Sequence, residues 1–234
     1  MCLCSVAFAA GYGMPAAAQQ VTLPEGCTAK VTVQIRSCEV QHYFTCAADP
    51  TGWQRTVSYT PDGMVYAGVI DAETQWIESL SIARGISESL MADPADPASL
   101  TELLAMAHDS FDFRTDSPQA GMMRFVGQDS LTGKTVVIDG VTLDQTEFSM
   151  IAYDAEGAEM WRSAGNEFIS REWGRFLPGT STIKTDEETY DADDTPVDFA
   201  FPGEPGFLTV NPQYGCDAVM SRAPVHPKVK GDAS

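Results

Sequence analysis

The chain has 234 residues, 44% of them hydrophobic and 20% charged, and its 14 lysines and arginines face 33 aspartates and glutamates for a formal net charge of −19. The apolar share supports a sizeable core and excludes a disordered chain. The acidic surplus repels nucleic-acid phosphate and anionic membrane surfaces, which excludes nonspecific nucleic-acid binding.

The first twenty residues, MCLCSVAFAAGYGMPAAAQQ, are uncharged and rich in small apolar side chains. They carry Ala16-Ala17-Ala18 ahead of Gln19, the small-residue pattern of a secretory cleavage site. Residues 1–18 are therefore expected to be a signal peptide with an incomplete basic start. Gly11, Gly13 and Pro15 break the stretch, which is also too short for a good membrane span. No later segment reads as a transmembrane helix. Export to a periplasm or the outside is the expectation, with residues 19–234 forming a single β-rich domain. Removal of the leader leaves Cys27, Cys38, Cys46 and Cys216, an even set that suggests disulfides in an exported chain.

Residues 27–46 give the first predicted elements. Val31, Val33 and Ile35 alternate on odd positions, and Cys38, Val40, His42, Phe44 and Cys46 on even ones, which is strand periodicity. Along a continuous strand Cys38 and Cys46 stand about 26 Å apart, too far for a shared zinc ion or a disulfide. Folding the two runs over Arg36-Ser37 as a two-residue turn puts every apolar pair on one face and brings Cys27 opposite Cys46. That register predicts a Cys27–Cys46 disulfide and leaves Cys38 for Cys216. Arg-Ser is a poor primed turn, and two rival pairings remain open: Cys38 with Cys46 around a bend, and Cys27 with Cys38 alongside Cys46 with Cys216.

Beyond this hairpin, WQRTVSY (53–59), the turn TPDG and MVYAGVID (64–71) read as a second one; TEFSMIAY (146–153), DAEG and AEMWRSAG (158–165) read as another. Further strands are expected at 74–82, 121–129, 134–139, 197–201 and 206–210, with a tight turn or bulge at Asp139-Gly140. One short amphipathic helix is expected over about 97–108, where Ser99 and Glu102 match a capping box and Leu100, Leu103, Leu104 and Ala107 keep helical spacing. The fold class that follows is mainly β, an antiparallel meander forming a curved sheet, half-barrel or barrel. The acidic run 185–196 is expected as a mobile loop and 221–234 as a flexible tail.

Chemical motifs are sparse. His42, His108 and His226 lie outside any zinc or nucleophile pattern: His42 reads as a half-buried strand residue, His108 as a charge at a helix C-terminus and His226 as part of the tail. GISES (85–89) departs from the nucleophile elbow at its last glycine. Neither a catalytic constellation nor a cofactor motif is evident. Asp191, Asp193 and Asp194 are weak calcium candidates, since Pro196 breaks the EF-hand pattern. In MWRSAGNEFISREWGRF (160–176), Trp161, Arg162, Arg171, Trp173 and Arg175 mix aromatic and basic groups in an otherwise acidic chain. They are candidates for a wall facing an anionic or amphipathic ligand. The structural alternative makes the tryptophans core anchors and pairs the arginines with carboxylates.

TEFSMIAYDAEGAEMWRSAGNEFISREW and DDTPVDFAFPGEPGF resemble a group of exported bacterial proteins to which no activity is assigned. The resemblance implies export and a single domain, and nothing about mechanism. The leading expectation is a non-enzymatic envelope protein that binds or carries a small apolar or amphipathic ligand on the concave side of its sheet. A structural or interaction module that docks an envelope protein is the first alternative. A carboxylate-based or calcium-assisted hydrolase is the second, and two carboxylates with raised pKa values in one pocket would favour it.

Overall fold

The structure, a computed structural model, describes residues 19–219. The expected signal peptide and the tail with His226 lie outside the described residues. In chain order the strands are β1 (Cys27–Ile35), β2 (Glu39–Cys46), β3 (Gln54–Thr60), β4 (Gly63–Ile70), β5 (Trp76–Ser81), β6 (Ile86–Leu90), β7 (His108–Asp116), β8 (Met123–Ile138), β9 (Val141–Tyr153), β10 (Glu159–Ser170), β11 (Arg175–Leu177), β12 (Thr180–Thr185), β13 (Thr189–Asp193) and β14 (Pro196–Ala200). Helix α1 (Leu100–Met106) lies between β6 and β7, and the single turn α2 (Cys216–Val219) follows β14.

The expected antiparallel meander is present as one 14-stranded sheet, ordered β13-β12-β10-β9-β8-β7-β6-β5-β4-β3-β2-β1-β14, with β11 paired to β10. Its two edge strands, β13 and β14, are consecutive in sequence and separated only by Asp194 and Thr195. The sheet therefore curls until its edges approach. No ladder joins them, so it is a curled open sheet and not a closed barrel. Backbone bonds tie the crossing down: Arg36 N donates to Thr195 O (3.1 Å) and Asp194 N to Gly179 O (2.8 Å).

The first hairpin differs from the two-residue-turn expectation in an instructive way. Cys27 faces Cys46 and Ala29 faces Phe44, but Lys30 forms a bulge, after which Val31 pairs with Tyr43, Val33 with Gln41 and Ile35 with Glu39. The turn is Arg36-Ser37-Cys38, and Cys38 takes a left-handed conformation (φ 63°), as the last residue of a three-residue hairpin loop does. One extra residue on each side reverses which side chains share a face. Val31, Val33 and Ile35 consequently join Tyr43 in the main core, together with Leu143, Phe168, Trp173, Leu177 and Phe199.

Thr32, Gln34, Val40 and His42 lie on the opposite face, where all four are also buried. The segment after β14 covers them: Leu208 N donates to Thr32 Oγ1 (2.8 Å), Gln34 Nε2 to Asn211 O (3.2 Å), and Gln213 N to Gln34 Oε1 (2.9 Å). His42 is fully buried, its Nδ1 3.0 Å from Thr32 Oγ1. Disulfides link Cys27 to Cys46 and Cys38 to Cys216, so the second bond fastens this covering segment to the first turn. Gly215 is required there, because its φ is +71° and a Cβ would collide with the Arg36 carbonyl.

Other sequence expectations are adjusted as follows. Strands foreseen at 121–129 and 134–139 are one strand, β8, interrupted by an irregularity between Leu131 and Thr135. Asp139-Gly140, with φ of 45° and 78°, forms the turn into β9, and Asp139 Oδ2 accepts from Phe199 N of β14 (2.9 Å). Residues 206–210 contribute only an isolated bridge, Gln20 to Thr209. The helix runs Leu100–Met106 rather than over all of 97–108; Ser99 caps it by accepting from Glu102 N (3.1 Å). Leu100 and Leu103 pack on Ile169, with Leu104, Leu131 and Phe176 around them. His108 is not a helix-end charge but the first residue of β7, its Nδ1 3.0 Å from Ser130 Oγ. The acidic run is not wholly a loop, since β13 forms within it and pairs with β12 from Thr180↔Asp193 to Lys184↔Thr189.

The two disulfides close chain segments of very different length, 19 and 178 residues. On the chain-entropy model, loss of the first costs about 3 kcal/mol and loss of the second about 5 kcal/mol. Denaturant unfolding of Cys27→Ser/Cys46→Ser and Cys38→Ser/Cys216→Ser should therefore show the larger loss for the second variant. Gly215→Ala should approach the same loss and leave free thiols; an unchanged midpoint and full oxidation would contradict the role given to Gly215.

Candidate ligand-binding cavity

Strand β10 ends in a tight reversal, Arg171-Glu172-Trp173-Gly174, closed by Gly174 N donating to Ser170 O (2.9 Å). Gly174 takes φ +60°, which favours glycine. Gln54 of β3 holds this turn from across the molecule, its Nε2 donating to Trp173 O (2.9 Å) and Gly174 O (3.0 Å). The turn delivers Arg175, at the start of β11, to the inside of the curled sheet, where only 6% of its surface is exposed.

The guanidinium of Arg175 lies 3.5 Å above the centre of the Tyr43 ring, a cation–π contact. Its Nη2 donates to Thr56 Oγ1 (2.7 Å), with longer contacts from Nη1 to Gln54 Oε1 (3.5 Å) and from Nε to the Phe176 carbonyl (3.4 Å). None of the ion pairs among the described residues includes it. One N–H on each Nη atom is therefore not used by these bonds. Tyr43 in turn donates to Gln41 Oε1, and Gln41 Nε2 donates to Glu39 Oε1 (2.7 Å).

Arg175 and Tyr43 form one part of the wall of a cavity of about 260 Å³. The remaining wall is mostly apolar, from Ile70, Trp76, Phe111, Phe113, Phe148 and Met150. Trp76 meets Phe113 and Phe125 edge-on at 5.6 and 5.4 Å between centroids, which fixes the aromatic side. Gly68 and Gly127 open the sheet for this wall: a Cβ at either position would collide with the ring of Tyr66 or Phe111, respectively. An outer depression beside β2–β6 is larger, about 780 Å³, but its arginine, Arg55, is already bound to both oxygens of Asp49 (2.7 and 2.8 Å).

Three carboxyl groups, Glu78, Asp129 and Glu167, share the cavity with Arg175. Burial pushes Glu167 up to about 8, helped by the nearby Asp129. Burial pushes Asp129 up to about 7, helped by Asp109, its partner on β7. Glu167 is half-buried and lines the cavity. Burial also raises Glu39, and it pushes the Tyr43 phenol up to about 12. The interior thus contains one guanidinium, whose pKa burial lowers, and several acids held toward their neutral forms.

Of the five basic and aromatic residues expected to line a ligand, Trp161, Arg162, Arg171, Trp173 and Arg175, this cavity is lined by Arg175 alone. Trp161 packs beside Phe125 (6.1 Å between centroids), and Trp173 is buried against Phe199 and Phe201. Arg162 is exposed and paired with Glu159, and Arg171 is exposed and paired with Asp144. The structural alternative applies to these four. The calcium candidates do not converge: Asp191 accepts from Thr182 Oγ1 (2.6 Å), Asp193 pairs with Arg36 (3.2 Å), and no metal-holding group of three or more occurs among the described residues. Sequence inspection missed Tyr43, Thr56, Asp129 and Glu167. Each sits in ordinary strand alternation, and the only available signal was an acidic residue within an otherwise strand-forming run.

No family model, curated protein or solved structure matches the chain. The chemistry of the cavity accordingly carries the functional argument alone.

The raised carboxyls set a pH dependence with a definite sign. Glu167 and Asp129 keep their protons when folded and release them near pH 4 when unfolded. Their contribution to stability is therefore greatest below about pH 4 and is lost as pH rises toward 7 and 8. Buried His42, lowered to about 4, acts oppositely, costing stability as pH falls from about 6.5 toward 4. Between pH 6.5 and 8 the carboxyl effect is left, so the thermal midpoint should fall over that range. Glu167→Gln should flatten the decline; an equally steep decline in the variant would show that Glu167 is not its source.

Proposed function

We propose that this protein is an exported binding or carrier protein that holds a small amphipathic ligand inside its curled sheet. The observation that carries the proposal is the cavity itself, in which a buried guanidinium without a carboxylate partner among the described residues opens onto an aromatic and aliphatic wall. Apolar walls with a few convergent polar groups are what small-molecule sites require. The two disulfides suit an oxidising compartment, and no helix among the described residues is long and apolar enough to cross a membrane; both are consistent with export.

A carboxylate-based hydrolase is the second reading, because Glu167 and Asp129 occupy one cavity with raised pKa values. Acid–base work requires the two groups to be driven apart, one ionised while the other stays protonated. Here the same cause, burial, pushes both upward, which favours binding over hydrolysis.

Native mass spectrometry of protein recovered without detergent, followed by solvent extraction, tests the proposal. A bound small molecule is expected, and Met150→Trp, which fills the apolar wall, should reduce its occupancy about tenfold or more by overlap with the ligand's space. An empty protein that also takes up no member of an amphiphile panel would rule the carrier out.

A further inference from the structure

We propose that the ligand's polar head is a single carboxylate, seated on the guanidinium of Arg175, with its apolar chain against Phe111, Phe113, Phe148 and Met150. This inference rests on the binding function proposed above and names the class of ligand. Arg175 is 6% exposed and stacked on Tyr43, and its hydrogen bonds go to neutral oxygens of Thr56, Gln54 and the backbone. A buried cation left in this state is costly, and a carboxylate is the group that meets its planar fork with two parallel hydrogen bonds.

Charge limits the head to one negative unit. Arg175 is the one lysine or arginine among the residues lining the cavity, so a second negative charge would meet no second cation there. A phosphate monoester, which approaches two charges at neutral pH, fits worse than a carboxylate. The wall composition bears on the other half of the molecule: Phe111, Phe113, Phe148 and Met150 offer rings and a thioether to an apolar chain, with Asp129 opposite Phe148.

Calorimetric titration of the full protein with decanoate, 1-decanol and decyl phosphate separates these possibilities. Decanoate should bind about tenfold or more tightly than decanol, the scale expected of a charge-assisted hydrogen-bonded head. Arg175→Met should remove that preference, and Arg175→Lys should restore part of it. If Arg175→Met does not fold, the head-group comparison on the unaltered protein still decides the point. Equal affinity for decanoate and decanol would overturn the carboxylate assignment but leave the amphiphile site standing. Tighter binding of decyl phosphate would also overturn it. No binding of any of the three would remove the carrier function and this inference together.

Discussion

Two residues constrain this fold more than any single contact. Strands β13 and β14 lie at opposite ends of a path of paired strands, yet only Asp194 and Thr195 connect them. Laid flat, that path would separate the edges by about 58 Å at the usual strand spacing of roughly 4.8 Å. The connection spans at most about 11 Å of backbone. The sheet has to coil, and its natural twist and its bulges at Lys30, between Val69 and Ile70, and between Leu131 and Thr135 supply the curvature. Once coiled, one face becomes an interior that side chains from many strands must fill or leave hollow.

What fills that interior is not a uniform apolar core. Val31, Val33, Ile35, Leu143, Phe168 and Phe199 pack one region tightly, whereas the region around Arg175 contains Tyr43, Glu167 and Asp129 beside open volume. Burying a guanidinium beside acids without joining them as ion pairs forgoes the Coulombic attraction that would offset desolvation. Natural cores avoid such arrangements unless the site does something with them. The Tyr43 ring and the Thr56 hydroxyl lessen the cost for Arg175, and burial lessens it for the acids by keeping their protons on. The result is a polar interior in which charge is spare at one point and suppressed elsewhere.

Local pattern carried much of the fold. The turns TPDG, DAEG and Asp139-Gly140, the Ser99 cap, and the facing of Cys27 and Cys46 all arise from neighbours in sequence, and such signals are legible in a single chain. The bulge at Lys30 was not, because alternation alone places Val31 opposite His42, and only the packing of both faces of β1 selects Tyr43 instead. Strand β13 was hidden for another reason: Asp and Glu disfavour strands, but at a sheet edge charge is tolerated and even useful. The site was the least legible part. Its wall is gathered from β2 to β11, and Arg175 stood out in sequence through tryptophans that turn out to pack elsewhere.

The acidic edge also bears on edge-to-edge pairing of an open sheet of this size. Strand β13, with exposed Thr189, Tyr190 and Asp191, presents unpaired backbone groups that invite pairing with another chain. Asp191 and Asp193 lie along that strand, with Glu187 and Glu188 just before it, so a second copy docking edge to edge would align like charges. The other edge, β14, is protected differently, since Asp139 at the tip of the β8–β9 hairpin takes the Phe199 N–H. Charge guards one end of the sheet and a folded-over hairpin the other. Part of the large negative charge thereby has a use without any ligand: it disfavours edge-to-edge pairing at the rim, while burial holds the interior acids toward their neutral forms.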